Sequence, residues 1–423
     1  MDTYKQQLAL WVQYFRVPGD RSTKVWLRSE KPSRFIAGTE DFESGKLGIS
    51  IIDHFGGREP CLVNRNCVVQ GGAAVNFIPT IILDSHLITY LTRYLKRPPF
   101  AADDEHQITR KFLERMVEIG CDYNPTFYYL ESVITNGPEV ARRYAAASSV
   151  TMLRFHSMNE KLFMLQDRVI PDEAVVERYA RRYSIPFTDP NDAIERIAPI
   201  MADQMITNFT GPVYEQLKGM FHYTYAVLLK MVLIHRSSNE RVEKKMNALR
   251  NFMEEELNLV LARENCMAAY YFSNRLPAKF MAVDSQMSFA EVKSRFLASA
   301  RDFFLLRIPE AQLSSGDEQE TSYSFVATAE YAVRKIGRVF TIEQAISASP
   351  GSFPATHLTF DLTELEWELG PEVTDKIIKS QGQRVTARQE QTLLDNRGVI
   401  TDGVLTALID RLEYQIKGYC KQV

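Results

Sequence analysis

Cysteine is scarce in this sequence, and the few present do not pair. Cys61, Cys67, Cys121, Cys266 and Cys420 are odd in number, scattered, and without a C-x-x-C spacing. That excludes a disulfide framework or a zinc ribbon as the organising element. Long apolar runs are missing too. The longest, Tyr223 to Ile234, is interrupted by Lys230 and falls short of the roughly 20 residues a membrane-spanning helix needs, so it reads as a buried helix. Met1 to Trp11 has neither the basic start nor the apolar core of a secretion signal. A cytoplasmic protein with no membrane partner is therefore expected. Neither sign of charge dominates: 50 Lys and Arg face 53 Asp and Glu, for a net charge of −3. No global basic field draws in nucleic acid, so any such contact has to come from a local patch.

Several chemical signatures are also absent. There is no G-x-S-x-G, G-x-G-x-x-G or P-loop. His86, His156, His222 and His235 lack H-E-x-x-H or H-x-H spacing, which argues against zinc. Asp84-Ser85-His86 lacks the second Asp of a phosphatase-type D-x-D pair.

What is present is ordinary globular composition, 45% hydrophobic and 24% charged, far from the signature of disorder. A chain of 423 residues suggests two or three domains and can bury a core without staples. Leu47 to Ile52 reads as a strand and Cys61 to Val69 as a second, closed by a turn at Gly71-Gly72. Val75 to Asp84 is an apolar, β-branched run that ends abruptly in a carboxylate, and Ser85 onward takes up helical spacing. Asn124-Pro125 looks like a helix start. Further helices are predicted over 138–165, 173–183, 191–206, 212–235, 238–272 and Phe289 to Leu306. Leu313 to Ser322 reads as a loop, Tyr323 to Ala327 and Gly337 to Thr341 as short strands, Ser347 to Pro354 as a hinge, and Asp402 to Cys420 as a final helix.

Three carboxylates share a pattern. Asp84 follows a strand, Asp302 lies in the helical run Ala298 to Arg307, and Glu330 follows a strand and opens a helix. A carboxylate in an apolar run is costly to bury unless something compensates it. Converging carboxylates repel one another unless a divalent ion neutralises them. Mg²⁺ and Mn²⁺ favour such oxygen ligands and promote phosphodiester cleavage.

In this order and context, residues 76–342 resemble PIN-like domain nucleases. Ile81-Ile82-Leu83-Asp84 followed by a helix matches the opening strand and Asp of that family. The Glu on an intermediate helix matches Glu131, or Glu256 or Glu264, and the late helical Asp matches Asp302. Phe325-Val326-Ala327-Thr328-Ala329-Glu330 follows the closing layout of strand, Thr and acid, with Glu where the family usually has Asp. The stretch between Asp84 and Asp302 is much longer than in compact members and reads as a helical insertion.

The resemblance implies an α/β fold with a PIN-like parallel sheet core, a large helical insertion and a predominantly helical whole. The chain would divide into an N-terminal mixed α/β segment at 1–75, the core at 76–345 and an accessory tail at 346–423. It implies a Mg²⁺- or Mn²⁺-dependent nuclease acting on RNA or single-stranded nucleic acid. Asp84, Asp302 and Glu330 would hold the ion, with Glu131 or Glu256, while Arg301, Arg307, Thr328, Arg334 and Lys335 contact phosphate.

Each residue also has a plainer role open to it. Asp84 is a good N-cap, a role Asn fills equally well. Asp302 can pair with Arg301 or Arg307 on a helix surface. Glu330 suits a helix N-terminus, and the run Glu254 to Glu256 can be a solvated face. Asp284 can end a strand or cap a helix. Phe127, Tyr128, Tyr129, Tyr270, Tyr271 and Phe272 fit a core better than a base-stacking platform. The alternative function is a non-catalytic helical interaction protein whose carboxylates are structural.

Overall fold

The computed structural model describes residues 3–17, 23–44, 47–69, 76–209, 212–259, 261–276, 280–313, 320–347, 354–375 and 401–421. The turn at Gly71-Gly72 and most of the loop and hinge expected at 313–322 and 347–354 lie outside them. Two compact units divide the chain: Met1–Glu215 with Leu305–His357, and Gln216–Phe304 with Leu358–Val423.

The chain begins with α1 (Thr3–Arg16), β1 (Lys24–Pro32), β2 (Thr39–Ser44), β3 (Leu47–Ile52), β4 (Arg58–Val63), α2 (Arg65–Val69) and β5 (Asn76–Leu83). There follow α3 (Ser85–Tyr94), α4 (Asp104–Ile119), β6 (Asp122–Asn124), α5 (Thr126–His156), α6 (Glu160–Gln166), α7 (Glu173–Arg182) and α8 (Pro190–Asn208). Next are α9 (Pro212–Ser237), α10 (Val242–Glu255), α11 (Ala262–Phe272), α12 (Phe289–Leu305) and α13 (Ile308–Leu313). The order closes with β7 (Glu320–Thr328), α14 (Tyr331–Gly337), β8 (Phe340–Ser347), β9 (Ala355–Phe360), α15 (Thr363–Leu369) and α16 (Asp402–Lys417).

One sheet has the order β2-β3-β7-β5-β6. Within it β5 pairs in parallel with β7 and with β6, while β3 runs antiparallel to β7 and β2 to β3. The other sheet has the order β4-β1-β8-β9, with β1 antiparallel to both β4 and β8. The chain is thus α/β and rich in helix, but its strands do not form one parallel sheet as expected. Ser44 and Leu47 pair across the β2–β3 hairpin, and so short a connection cannot make the crossover of a dozen or more residues that parallel pairing needs. Strands from residues 1–75 enter both sheets beside strands from 76–345, and the compact units follow this pairing rather than the segments 1–75, 76–345 and 346–423.

The centre of the mixed sheet is dry. Ile81, Ile82 and Leu83 of β5 and Phe325, Val326 and Ala327 of β7 are all fully buried, as a near-continuous apolar run in a parallel pair demands. Pro79 fits there because the pairing with β6 starts only at Thr80, so at Pro79 the strand has a neighbour on one side alone.

The helical part of the first unit packs α5 against α8 and α7. Leu153, Val176, Ala180, Ile194 and Ile197 form one cluster, and Tyr129, Val133, Ala141, Ala145 and Ile206 another. Gly137, at φ 75 and ψ 162, breaks α5 into two helices just before Pro138, whose ring cannot sit inside a continuous helix. A buried polar knot ties α3, α4 and the end of α6. Asp167 accepts hydrogen bonds from the Tyr94 hydroxyl and the Phe100 amide, and lies 2.8 Å from His106 Nε2.

In the second unit the expected 238–272 helix is two, α10 and α11, and α9 is continuous. Its Tyr214–Ser237 stretch is long and apolar enough to cross a membrane, and 67% of its apolar window is buried inside the protein. Polar ties join the helices here: Thr224 donates to Glu264 at 2.6 Å, and Glu413 accepts from Tyr225 at 2.8 Å and Lys293 at 2.7 Å.

Asp53, at the end of β3, is a buried carboxylate that accepts the Phe55 and Gly57 amides at 2.9 and 2.7 Å and the Tyr323 hydroxyl at 3.0 Å. Burial pushes its carboxyl up to about 7, against those hydrogen bonds and Arg28. From its ordinary value of 3.8 up to about 7, the native state holds a proton that the unfolded chain has released. This group's contribution therefore destabilises the fold as pH rises through that window. The unfolding free energy from urea titration should carry a component that falls between about pH 4 and 7, on the order of a few kcal/mol. In Asp53→Asn, which cannot ionise, that component should vanish; the same pH dependence in variant and wild type would contradict it.

Candidate active site at the strand ends

The parallel register places Leu83 opposite Ala327, so the residues just beyond both strands emerge side by side. Ligand sites of α/β sheets form at such carboxyl ends. The Asp84 amide extends the ladder to the Ala327 carbonyl at 3.1 Å. Its carboxylate then turns back. Oδ1 accepts the Leu87 amide as the N-cap of α3, while Oδ2 accepts the Thr328 hydroxyl and, at 2.9 Å, the Ala329 amide. The same Thr328 hydroxyl accepts the Glu330 amide at 3.0 Å. One buried carboxylate therefore joins the end of β5, the start of α3 and the end of β7. Burial pushes the Asp84 carboxyl up, and the hydrogen bonds from Thr328, Leu87 and Ala329 oppose that shift.

Glu330 stands at the N-cap position of α14 but makes no side-chain cap bond. Its carboxylate instead takes a close contact from His86 Nδ1, on the first turn of α3. That hydrogen bond holds the Glu330 carboxyl below its usual range, with burial acting the other way. The His86 side chain is 64% exposed and that of Glu330 34%, so this pair faces solvent where Asp84 does not. His86 was not among the site residues expected from the sequence. The available signal was its place two residues after Asp84, on the turn that begins at the strand end.

The structure thus brings together Asp84, Thr328 and Glu330 of the expected residues. Glu131 is half-buried in α5. Asp302, Arg301 and Glu256 belong to the second unit. Asp302 lies in α12, which runs across the unit boundary. Glu256 pairs with Arg411 and, at 3.5 Å, with Lys230. Arg334 is buried, and its guanidinium reaches Ser50 at 2.9 Å and Glu43 at 2.6 Å. It lies over Gly48, where any Cβ would meet it. Arg307 is buried and Lys335 half-buried. Asp284 ends no strand; its carboxylate accepts the Gln286 amide at 2.9 Å in a tight turn.

Among the described residues, no three His, Cys, Asp or Glu side chains form a ready-made metal cage. Two carboxylates on neighbouring strand ends still suit Mg²⁺ in kind, because that ion is commonly held by one or two carboxylates with water and substrate phosphate completing its shell. No family model, curated protein or solved structure was found to match the chain.

The clasp makes Asp84 more than a cap. In Asp84→Asn the amide oxygen can still cap α3, but the NH₂ group faces the Ala329 N–H, leaving two donors opposed. Loss of that buried acceptor should cost about 1–3 kcal/mol, as should Thr328→Val, which removes a donor to Asp84 and an acceptor for the Glu330 amide. A thermal melt of Asp84→Asn that superimposes on wild type would reduce Asp84 to a cap alone.

Proposed function

We propose that the first unit is a PIN-like nuclease that uses Mg²⁺ or Mn²⁺ to hydrolyse phosphodiester bonds of RNA or single-stranded nucleic acid. The observation that carries this reading is the convergence of Asp84, Thr328 and Glu330 at the carboxyl ends of β5 and β7, joined through one hydroxyl. Asp84 and Glu330 would hold the ion. A divalent ion bound there supplies an activated water and neutralises charge on the phosphate.

The chain's own residues do the positioning. Asp84 is locked by three donors on two elements, so its geometry is set before a ligand arrives. Thr328 fixes the spacing between the two acids by bonding to the side chain of one and the backbone of the other. His86 orients the Glu330 carboxylate from the solvent side. Glu330 is partly exposed and Asp84 buried behind it, so a ligand would approach from the Glu330 side.

A second reading is favoured by a specific observation: both Asp84 oxygens already accept hydrogen bonds from within the protein. On that reading the carboxylates serve the fold, and the chain is a non-catalytic interaction protein.

The two separate in a cleavage assay on structured RNA, unstructured RNA and single-stranded DNA, with Mg²⁺, Mn²⁺ or EDTA. The nuclease reading expects cleavage that EDTA abolishes. It also expects a rate loss of about a hundredfold or more in Glu330→Gln, with substrate affinity little changed, because an ion acting on developing charge appears in the catalytic rate. Glu330 is partly exposed, so this variant keeps the fold. Intact substrates of all three kinds in Mn²⁺ would leave the non-catalytic reading.

A further inference from the structure

The second unit holds a cavity of about 1020 Å³ that the site at the strand ends does not account for. It lies among α9, α11, the segment 280–285 and residues 418–420. Its volume is at the upper end of the roughly 300–1,000 Å³ typical of small-molecule sites.

The lining combines flat rings, amides, a cation and one carboxylate, that of Asp284, whose Oδ1 accepts the Gln286 amide at 2.9 Å. Tyr271 and Phe280 offer half-buried aromatic faces, and Asn239 and Asn274 expose amides that can both donate and accept. The Arg236 side chain donates to the Val283 carbonyl, which anchors a guanidinium at the rim. His235 stands between these parts, its ring 5.0 Å from that of Tyr271. Lys245 Nζ lies 3.3 Å from His235 Nδ1. An ammonium has only donors, so Nδ1 must accept and the imidazole proton sits on Nε2. Burial, with Lys245 and Arg236 nearby, holds this histidine's pKa down, so it is a neutral donor at physiological pH.

Aromatic faces stack on any base, amides read base edges, and arginine takes phosphate. A cavity with all three suits a ligand that is planar at one end and anionic at the other. We infer that this cavity binds a nucleoside monophosphate, with the base against Tyr271 and Phe280, its edge on Asn239 and Asn274, and the phosphate at Arg236. The inference does not depend on the nuclease reading.

Calorimetric titration of the full chain in EDTA, with AMP, GMP, CMP, UMP and inorganic phosphate as probes, tests it. At least one nucleotide should bind saturably with one site per chain, and phosphate alone about tenfold or more weaker. Arg236→Gln should weaken that nucleotide about tenfold and Asn239→Ala severalfold, while Glu330→Gln, which keeps the fold, leaves binding unchanged. Both lining substitutions are at exposed positions, and Asn239→Ala decides the matter should Arg236→Gln fail to fold. No saturable binding below millimolar concentration, phosphate binding as tightly as the nucleotides, or wild-type affinity in Asn239→Ala would each overturn it. Loss of binding in Glu330→Gln would place the nucleotide at the strand ends instead and overturn it as well.

Discussion

A single buried carboxylate joins the strand ends of the first unit's mixed sheet to the helices that follow them. Parallel strands pair along their length through backbone bonds, but beyond their last residues the ladder stops and two loops are left to find partners. Asp84 supplies them. Its oxygens collect the Leu87 amide in the first turn of α3, the hydroxyl that ends β7 and the amide after it. Burying such a charge without those donors would cost several kcal/mol, so carboxylate and donors are stable only as a set. Everything exposed at the site, Glu330 and His86 included, hangs on elements whose starting points Asp84 fixes.

The same device recurs elsewhere in the first unit. Asp53 gathers two amides and a tyrosine hydroxyl at the end of β3, and Asp167 gathers a tyrosine, an amide and a histidine between α3, α4 and α6. Each is an acid planted where regular structure ends and backbone donors need partners. Apolar burial gives the sheets and helices their reason to pack, and these acids determine how their ends meet. A fold that orders loops this way has a rigid platform on which to build a site.

How much of this could be read in the residues follows from the range of the interactions. The strand ending at Asp84, the helix after it, the strand ending at Thr328 and the α7, α8 and α9 helices are local patterns of apolar spacing, caps and prolines, and they stand close to where they were expected. The adjacency of Asp84 and Glu330 comes from the parallel register of β5 and β7, an arrangement that two strand–helix units of the same order favour but do not fix. The second sheet could not be read this way. Its pairing of β1 with β8 joins residues more than three hundred positions apart, and alternating polar and apolar residues do not name a distant partner. Arg334 was expected as a phosphate contact, but tertiary structure folds it over Gly48 onto Ser50. His86 was overlooked because a lone histidine carries no spacing signal, and its role comes from a carboxylate 244 positions away.

On the proposed reading the acids at the strand ends are a cation site as well as a clasp. Manganese binding read by electron paramagnetic resonance tests this directly, because it needs neither a substrate nor a rate. One Mn²⁺ should bind per chain in the wild type and be lost in Glu330→Gln, which keeps the backbone bond to Thr328. Equal Mn²⁺ binding by the wild type and Glu330→Gln, or none by either, would contradict it.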